Sequence, residues 1–312
     1  MFDSIAGDYD ALNHILSLDV DKIWRRRALK QIVDAPAPVQ VLDLACGTGD
    51  FSIAIAKALT RSFRQAQRPD SGETALRQAQ GPVSAVTEPK SSVTEHKSSV
   101  TEPAEVTGTS ANASTSSATR DSVGASGAST SSATRDSVGA SGASASSATG
   151  GHVTGVDLSE GMLAVMREKV GKAGLSGMIS IEEGDGENLR FPDNTFDRVT
   201  IAFGIRNFED RPKGLREMLR VLKPGGRLVI LELSRPENKV VRWFYDLYFL
   251  HILPKIGGKV SGDKAAYAYL PASVAAFPGK KEFIATMRKA GFRTVTHKAF
   301  TLGICRMYTG EK

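Results

Sequence analysis

Short apolar runs and stretches with helical spacing alternate along most of this chain. Apolar runs rich in β-branched residues predict strands at 39–45, 152–156, 178–182, 198–202 and 227–233. Apolar residues with helical spacing predict helices over 15–32, 50–59, 160–170, 212–221 and 281–292. The C-terminal part indicates a last helix followed by a closing hairpin of strands. Because strands alternate with helices, the pattern predicts an α/β fold with a largely parallel sheet.

One long segment breaks this alternation. From about Arg61 to Gly151 the chain is rich in Ser, Ala, Thr, Gly and Glu and has almost no large apolar residues. Ordering such a segment costs entropy that burial cannot offset, so we predict a disordered, low-complexity insert. The sequence ASTSSATRDSVG occurs at 113–124 and again at 128–139, without the apolar face that stacked repeats need. The prediction is a single domain formed by 1–60 and 152–312 and interrupted by 61–151.

The formal net charge of +6 belongs to the predicted domain, because the insert holds eight Lys or Arg and eight Asp or Glu. The main basic clusters lie within 25–30 and 280–289. A basic surface can serve nucleic acid, anionic lipid or simple solubility, and solvated helix faces are the simplest interpretation.

The N-terminus and the cysteines exclude several classes of protein. The first residues, MFDSIAGDYD, are acidic and lack the basic and apolar regions of a signal peptide. No stretch approaches the roughly 18 uninterrupted apolar residues of a membrane-spanning helix, so we expect a cytoplasmic protein. Cys46 and Cys305 are too few for a disulfide framework or a metal-ligand pattern. We therefore expect reduced thiols and no metal site.

A glycine turn directly after the first predicted strand is the first sign of chemistry. Gly47, Thr48 and Gly49 follow that strand, and such a turn lets the backbone approach a nucleotide, although it also has purely structural explanations. A nucleotide-binding fold places an acid at the end of the next strand, roughly 20 residues further on. Asp157 lies 108 positions after Gly49. Removing about 87 residues of low-complexity sequence leaves about 21, which restores the expected spacing.

The residues around this turn favour a sulfonium cofactor over a dinucleotide. Dinucleotide sites use a third glycine near the pyrophosphate, and here that position is Ser52. S-adenosylmethionine has no phosphate, but its amino-acid and sulfonium groups need nearby carboxylates. Asp43 and Asp50 flank the turn and could supply them.

Four segments, in order along the chain, resemble the motifs of class I methyltransferases. They are VLDLACGTGD (41–50), TGVDLSEGML (154–163), GDGENLRFPDNTFD (184–197) and LRVLKPGG (219–226). The resemblance implies a Rossmann-like sheet with helices on both faces. It also implies S-adenosylmethionine as the methyl donor.

Other segments resemble, more narrowly, the quinone C-methyltransferase family of menaquinone and ubiquinone biosynthesis. They are YDALNHILSLDVDKIW (9–24), AFGIRNFED (202–210), RLVILELS (227–234) and AYAYLPASVAAFP (266–278). Together the two sets cover nearly everything except the insert. Two positions depart from the family pattern: Asp21 stands where a His is frequent, and Cys46 where a small residue is frequent.

The resemblance implies six cofactor-binding residues: Gly47, Thr48, Gly49, Asp157, Asp185 and Gly186. The glycine turn would hold the methionine end of the cofactor and the acid after the second strand the ribose diol. The GDG segment would hold the adenine, and a plain turn role is the alternative for Asp185.

Arg206 and Asn207 are the predicted catalytic residues. They follow the strand ending near Ala202, where α/β folds place their ligands. Arg206 could stabilise a phenolate or orient a water that acts as base, and Asn207 could bond a ring oxygen. A salt-bridged Arg206 that only fixes the loop is the alternative. Other candidates for proton transfer are Tyr9, Asp246 and His251.

The aromatic segment WFYDLYFLHIL (243–253) could cover an isoprenoid tail, touch the bilayer interface, or form an ordinary core helix. A polyprenyl hydroquinone substrate lives in the membrane, so we expect peripheral, reversible association with its inner face. The sequence also allows a homo-oligomer.

The predicted activity is C-methylation of demethylmenaquinol to menaquinol. The alternatives are the ubiquinone-pathway reaction on a polyprenyl benzoquinol, methylation of another small molecule, and a binding module that moves no methyl group. A nucleic-acid methyltransferase is disfavoured, because neither its asparagine-proline-proline-aromatic motif nor an RNA-binding domain is present. We therefore expect no nucleic-acid partner.

Overall fold

Strands and helices alternate along the chain as the hydrophobic pattern predicts. The computed structural model describes residues 19–34, 38–67, 150–248 and 264–312, which belong to one compact unit. The strands are β1 (Val39–Leu44), β2 (Gly151–Asp157), β3 (Ile179–Glu183), β4 (Phe196–Ala202), β5 (Leu222–Leu233), β6 (Arg293–Phe300) and β7 (Cys305–Glu311). The helices are α1 (Val20–Ile32), α2 (Asp50–Ala66), α3 (Glu160–Lys172), α4 (Arg211–Val221), α5 (Lys239–Asp246), α6 (Lys264–Ala276) and α7 (Lys280–Lys289).

The seven strands form one sheet in the order β3-β2-β1-β4-β5-β7-β6. The first five strands pair in parallel, and β7 runs antiparallel between β5 and β6. The predicted parallel sheet and the C-terminal hairpin are therefore confirmed. The chain passes from β1 to β2 on one side and later places β4 on the other. A crevice opens at such a switch point, outside the carboxyl ends of the strands.

Apolar side chains cover both faces of the sheet. On one face, α1, α2 and α3 bury side chains that include Trp24, Ile55 and Met166. On the other face, α4 and α7 do the same with side chains that include Leu215 and Phe283. Strand residues alternate between the two layers, and each fully buried large apolar side chain contributes about 1.5–3 kcal/mol. This two-layer burial confirms the predicted helices on both faces.

Side-chain caps fix where two helices begin near the crevice. The Ser159 hydroxyl accepts a hydrogen bond from the Met162 backbone N–H at 3.3 Å, which confirms Ser159 as the cap of α3. At the start of α4, the Asp210 carboxylate accepts from the Lys213 backbone N–H at 2.9 Å. Both caps satisfy donors that the first helical turn leaves without an intrahelical partner.

Several predicted boundaries were wrong. Helix α2 continues to Ala66 and β2 begins at Gly151, so both ends of the predicted insert are ordinary secondary structure. Strand β5 begins at Leu222 instead of 227. The hydrophobic pattern did not predict α6, which contains Pro271. Most of the predicted insert lies outside the described residues, as do Tyr9 and His251.

In the described part of the chain, no helix has the length and apolar character needed to cross a bilayer. Within the same residues, no three His, Cys, Asp or Glu side chains are grouped so that they could hold a metal ion.

The two ends of the predicted insert lie side by side. A Cβ placed on Gly150 would meet the Phe63 Cβ at 2.5 Å and the Leu59 carbonyl oxygen at 3.2 Å. Helix α2 ends less than one turn after Phe63. A short connection can therefore join Gln67 to Gly150 without disturbing either element.

Replacing residues 69–148 with about eight Gly and Ser residues is expected to leave the domain folded. Such a linker spans roughly 15 Å on average, and the loop it closes costs less entropy than the original segment. Urea denaturation should give a free energy of unfolding between that of the full chain and about 2 kcal/mol above it, because the shorter loop costs less closure entropy, and S-adenosylmethionine should still bind. An unfolded product, or one that no longer binds this ligand, would contradict the single interrupted domain.

Candidate active site

A cleft of about 340 Å³ opens at the carboxyl ends of the central strands. Five of the predicted site residues line it: Gly47, Asp157, Asp185, Gly186 and Asn207. A smaller cavity of about 30 Å³ adjoins it and contains Thr48. The two cavities share the wall made by Ala45, Gly47, Ala202 and Phe203. The structure thus brings the loops after β1, β2, β3 and β4 together around one space.

The glycine turn needs both of its glycines, for different reasons. Gly47 has φ +56° and Gly49 has φ +83°, in the left-handed region that glycine enters without strain. A Cβ on Gly49 would lie 2.4 Å from the Met166 Cγ of α3. Gly49 lines neither cavity. It lets α3 pack against the turn, while Gly47 faces the cleft.

Asp157 ties this turn to the next helix. Its Oδ2 accepts a hydrogen bond from the Gly47 backbone N–H at 2.8 Å, and its Oδ1 accepts from the Ser159 backbone N–H at 2.9 Å. A carboxylate has about four acceptor positions, so it can also accept from a ligand diol. Asp157 therefore suits the predicted contact with the ribose of a cofactor.

The loop after β3 reaches the cleft at Asp185 and Gly186. Asp185 Oδ1 accepts from the Glu187 backbone N–H at 2.8 Å, which is the turn role left open by the sequence, although Asp185 also lines the cleft. A Cβ on Gly186 would lie 2.5 Å from the Phe208 ring. Gly186 thus lets the ring of Phe208, another residue of the cleft wall, pack against this loop.

Charged groups of both signs surround the smaller cavity. The Asp50 carboxylate contacts Lys169 Nζ and lies 3.7 Å from Arg25 Nη1. Lys169 Nζ also donates to Thr48 Oγ1 at 3.3 Å, and the Arg25 guanidinium stacks on the Phe203 ring with its carbon 5.6 Å from the centroid. Paired cations and anions of this kind suit a zwitterionic amino-acid group, which carries both charges itself.

Asp43 lies beneath the same cavity, buried between β1 and α2. Only 1% of the residue is exposed, and the Ser52 hydroxyl donates a hydrogen bond to Oδ2 at 2.5 Å. Burial raises the pKa of the Asp43 carboxyl to about 7, and the hydrogen bond from Ser52 opposes that rise. A positively charged ligand in the cavity would favour the ionised carboxylate.

The loop after β4 carries both predicted catalytic residues. It begins with Phe203, whose φ of +62° is unusual for a residue other than glycine. A short 3-10 turn, Ile205–Asn207, follows. Asn207 lines the cleft, and its Oδ1 accepts a hydrogen bond from the Tyr269 hydroxyl at 2.8 Å.

Arg206 does not line the cleft and pairs with the strand beside it. Its Nη1 lies 2.9 Å from Glu232 Oε1, and its backbone N–H donates to Glu232 Oε2 at 3.1 Å. Its Nε donates to Ser273 Oγ at 3.3 Å, and its guanidinium also contacts the Phe203 carbonyl. These contacts favour the interpretation of Arg206 as a salt-bridged residue that fixes the loop.

Comparison with known proteins decides the family. Residues 1–98 and 103–312 match the model of the ubiE/COQ5 methyltransferase family. The chain belongs to this family. The family resemblance and the methyltransferase fold expected from the sequence motifs are thereby confirmed.

Similar proteins come from several bacteria. The whole chain is 38% identical to the ubiquinone/menaquinone biosynthesis C-methyltransferase UbiE of Geobacter sulfurreducens, of which it covers 87%. It is 34% identical over its full length to the demethylmenaquinone methyltransferase of Bacteroides fragilis, of which it covers 91%. Among solved structures, a SAM-dependent methyltransferase from Thermotoga maritima aligns with a TM-score of 0.50 at 14% identity, over 100% of this chain and 98% of that one. That last likeness shows the fold alone.

The sequence analysis did not assign a site role to several residues that line the two cavities or hold the loop after β4. They are Arg25, Phe208, Glu232, Tyr269 and Ser273. Arg25 was counted only as part of a basic cluster. Glu232 sits in an apolar strand and is fully buried, and an acid in such a run is the signal that could have found it.

The two departures from the family pattern and one further candidate have structural partners. Asp21 is 3% exposed and its carboxylate lies 3.6 Å from Arg25 Nε. The Cys46 thiol contacts the Met166 sulfur at 3.5 Å, and burial raises the pKa of that thiol. Asp246 pairs with Arg235 at 2.7 Å on the surface, away from the cleft.

Asp43→Asn is expected to weaken the pH dependence of stability. Because the pKa of Asp43 is raised from 3.8 to about 7, the folded protein binds a proton between about pH 4 and pH 7 that the unfolded chain releases. The contribution of Asp43 to the free energy of unfolding therefore falls as pH rises through this window. Urea denaturation at pH 5 and pH 8 should show a smaller decrease for the variant than for the natural chain. Equal decreases would mean that the Asp43 carboxyl is not protonated in the folded state.

Proposed function

We propose that this chain is an S-adenosylmethionine-dependent C-methyltransferase that converts demethylmenaquinol to menaquinol. One observation carries the proposal: a single cleft contains Asp157 and Asp185, predicted to bind the cofactor, together with Asn207, predicted to contact the acceptor. The names of the family and of its relatives support this reaction. The methyl donor supplies an activated methyl group on a sulfonium.

The residues present suit this donor at both ends. Asp157 would accept hydrogen bonds from the ribose hydroxyls, and the loop at Asp185 and Gly186 would hold the adenine. At the other end, the smaller cavity receives the amino acid. Arg25 and Asp43 both line this cavity, so Arg25 would hold the ligand carboxylate and Asp43 its positive charges. Ionisation of Asp43 would then accompany binding, since the ligand cation would replace the lost proton.

The loop after β4 acts on the acceptor. Asn207 donates a hydrogen bond to a ring oxygen, which favours the phenolate and pushes electron density onto the adjacent ring carbon. Arg206 acts through the loop, because its charge is already compensated by Glu232. Methyl transfer breaks the bond between sulfur and the methyl carbon and forms a bond from that carbon to the ring. Loss of the ring proton to water restores the aromatic ring as the phenolate, which regains a proton from water to give the hydroquinone.

Geometry supplies most of the rate in such a displacement, because the acceptor carbon and the methyl group react only when held in line. The cofactor wall and the acceptor wall meet where Gly204 packs on Ala45. A Cβ on Gly204 would lie 2.4 Å from the Ala45 Cβ. That close contact fixes how near the two walls lie to each other.

The second candidate is the ubiquinone-pathway reaction on a polyprenyl benzoquinol. It is supported by the Geobacter sulfurreducens relative, whose name covers both quinones. The two acceptors share the reacting phenol and the tail and differ in the second fused ring.

Mass spectrometry after incubation with methyl-labelled S-adenosylmethionine distinguishes the two acceptors. Demethylmenaquinol and the corresponding benzoquinol are offered separately, in detergent and under reducing conditions. Label is expected in the naphthoquinol ring. Label in the benzoquinol alone would favour the second candidate. No label in either, with the methyl donor still bound, would contradict a quinol methyltransferase.

We also infer that helix α5 contacts the membrane in which such an acceptor resides. Val240, Trp243 and Phe244 are 60–66% exposed, and with Leu247 they follow the spacing of one helical face. The helix packs on the body through Tyr245, which is 8% exposed. Aromatic side chains on an outward face suit the bilayer interface.

Charge on the same helix favours an anionic lipid surface. Lys239 and Arg242 lie on α5, and Arg235 precedes it. Asp246, the acid of this helix, is paired with Arg235 at 2.7 Å. The surface therefore combines exposed apolar groups with a net positive charge, as binding to anionic headgroups requires.

Replacing Trp243 and Phe244 together with Ser is expected to lower partitioning onto phosphatidylglycerol-containing vesicles at least tenfold, as measured by sedimentation. The loss follows from the removal of two aromatic groups from the interface. Leu302→Ser is the matched control, because Leu302 is 77% exposed outside α5. Equal partitioning of all three proteins, or a change of oligomeric state in the double variant, would overturn the membrane contact.

A further inference from the structure

Helix α6 contacts both predicted catalytic residues from a single face. The Tyr269 hydroxyl donates to Asn207 Oδ1 at 2.8 Å, and Ser273 Oγ accepts from Arg206 Nε at 3.3 Å. Tyr269 and Ser273 are four residues apart, so they lie on the same side of the helix, one turn from each other. Consecutive residues of the loop after β4 are thus each held by one residue of α6.

The helix itself is firmly seated, so it can hold that loop in place. Ser273 is 9% exposed, and Val274 is 3% exposed and packs against Tyr245 of α5. Ser273 Oγ also donates to the Leu270 carbonyl at 3.0 Å, which directs its lone pairs towards Arg206. The α6 contacts are therefore part of the packed structure.

The hydrogen bond from Tyr269 decides which end of the Asn207 amide faces the cleft. An amide presents an acceptor oxygen on one side and two N–H donors on the other. Because the tyrosine hydroxyl donates to Oδ1, the oxygen is held towards α6 and the N–H groups are directed away from it. Asn207 lines the cleft, so those donors are placed for an acceptor oxygen there. The opposite orientation would present a carbonyl oxygen, which repels a phenolate.

We propose that Tyr269 is a positioning residue for methyl transfer: it orients the Asn207 amide so that its N–H groups stabilise the phenolate of the acceptor. This inference rests on the proposed function, since it concerns a phenolic acceptor in the cleft. Tyr269 itself does not touch the acceptor. Tyr269 lines neither cavity, so it acts on the acceptor through Asn207.

The direct test measures ionisation of a bound phenol and does not depend on turnover. The probe is 4-methoxy-1-naphthol, a naphthoquinol analogue whose methyl ether blocks direct conversion to the quinone, and its phenolate is followed by absorbance, with oxygen excluded, in the complex with the protein and S-adenosylhomocysteine. Tyr269→Phe is expected to raise the pKa of the bound naphthol. In an Asn207→Ala background the same substitution should leave that pKa unchanged, because the amide it orients is absent.

Kinetics give the second readout. Tyr269→Phe should lower kcat about tenfold, with little change in KM and no change in binding of S-adenosylmethionine. The rising limb of the kcat profile should move to higher pH. Tyr308→Phe is the matched control, because the buried Tyr308 hydroxyl has no hydrogen-bond partner among the described residues, and it should leave kcat and the profile unchanged.

Two outcomes would overturn the inference. One is an unchanged pKa of the bound naphthol in Tyr269→Phe. The other is an equal effect of that substitution with and without Asn207. Failure of the proposed function looks different: the natural chain would label no quinol ring, while the bound naphthol would still report whether Tyr269 acts through Asn207.

Discussion

A buried ion pair between Arg206 and Glu232 holds the loop after β4, the proposed acceptor side of this site, in place. Glu232 is fully buried in β5, and its carboxylate meets both the backbone N–H and the guanidinium of Arg206 at 3.1 and 2.9 Å. Removing one partner of such a pair costs about 3–5 kcal/mol, because the other charge stays buried without compensation. The pair therefore keeps the loop after β4 in a conformation that includes the left-handed Phe203. Asn207 reaches the cleft because that loop is fixed.

The proposed cofactor side is organised by a second carboxylate acting on backbone donors. Asp157 joins the turn after β1 to the first turn of α3 through Gly47 and Ser159, at 2.8 and 2.9 Å. In both halves an acid fixes a loop at the carboxyl end of a parallel strand. The halves are pressed together where Gly204 meets Ala45. Two pre-organised loops in contact are what an in-line transfer between two bound molecules requires.

The sequence predicted the features that depend on neighbouring residues and missed those that depend on residues far apart along the chain. The alternation of strands and helices, the glycine turn and the Ser159 cap are local patterns, and the structure confirms them. Asp157 was identified as a candidate once the low-complexity residues were left out of the spacing between Gly49 and the next acid. Glu232 and Tyr269 escaped notice, because their partners lie 26 and 62 positions away along the chain. No periodicity encodes such pairings, since they exist only after the sheet has formed.

The sequence did not decide between a core helix and an outward-facing helix for α5. The spacing of its apolar residues is the same in both cases, and only their exposure in the structure distinguishes a core helix from a surface one.

The central claim, that the loop fixed by Arg206 serves the acceptor and not the methyl donor, is tested most directly by Arg206→Lys. Lysine keeps Glu232 paired but cannot also reproduce the fork of contacts to Ser273 and Phe203. Single-turnover rates and S-adenosylmethionine affinity should be measured on the same preparation. The account predicts a rate about 10- to 100-fold lower with an affinity within about threefold of the natural chain, as expected for a loss of positioning. An unchanged rate, or an affinity that falls in parallel with the rate, would contradict it.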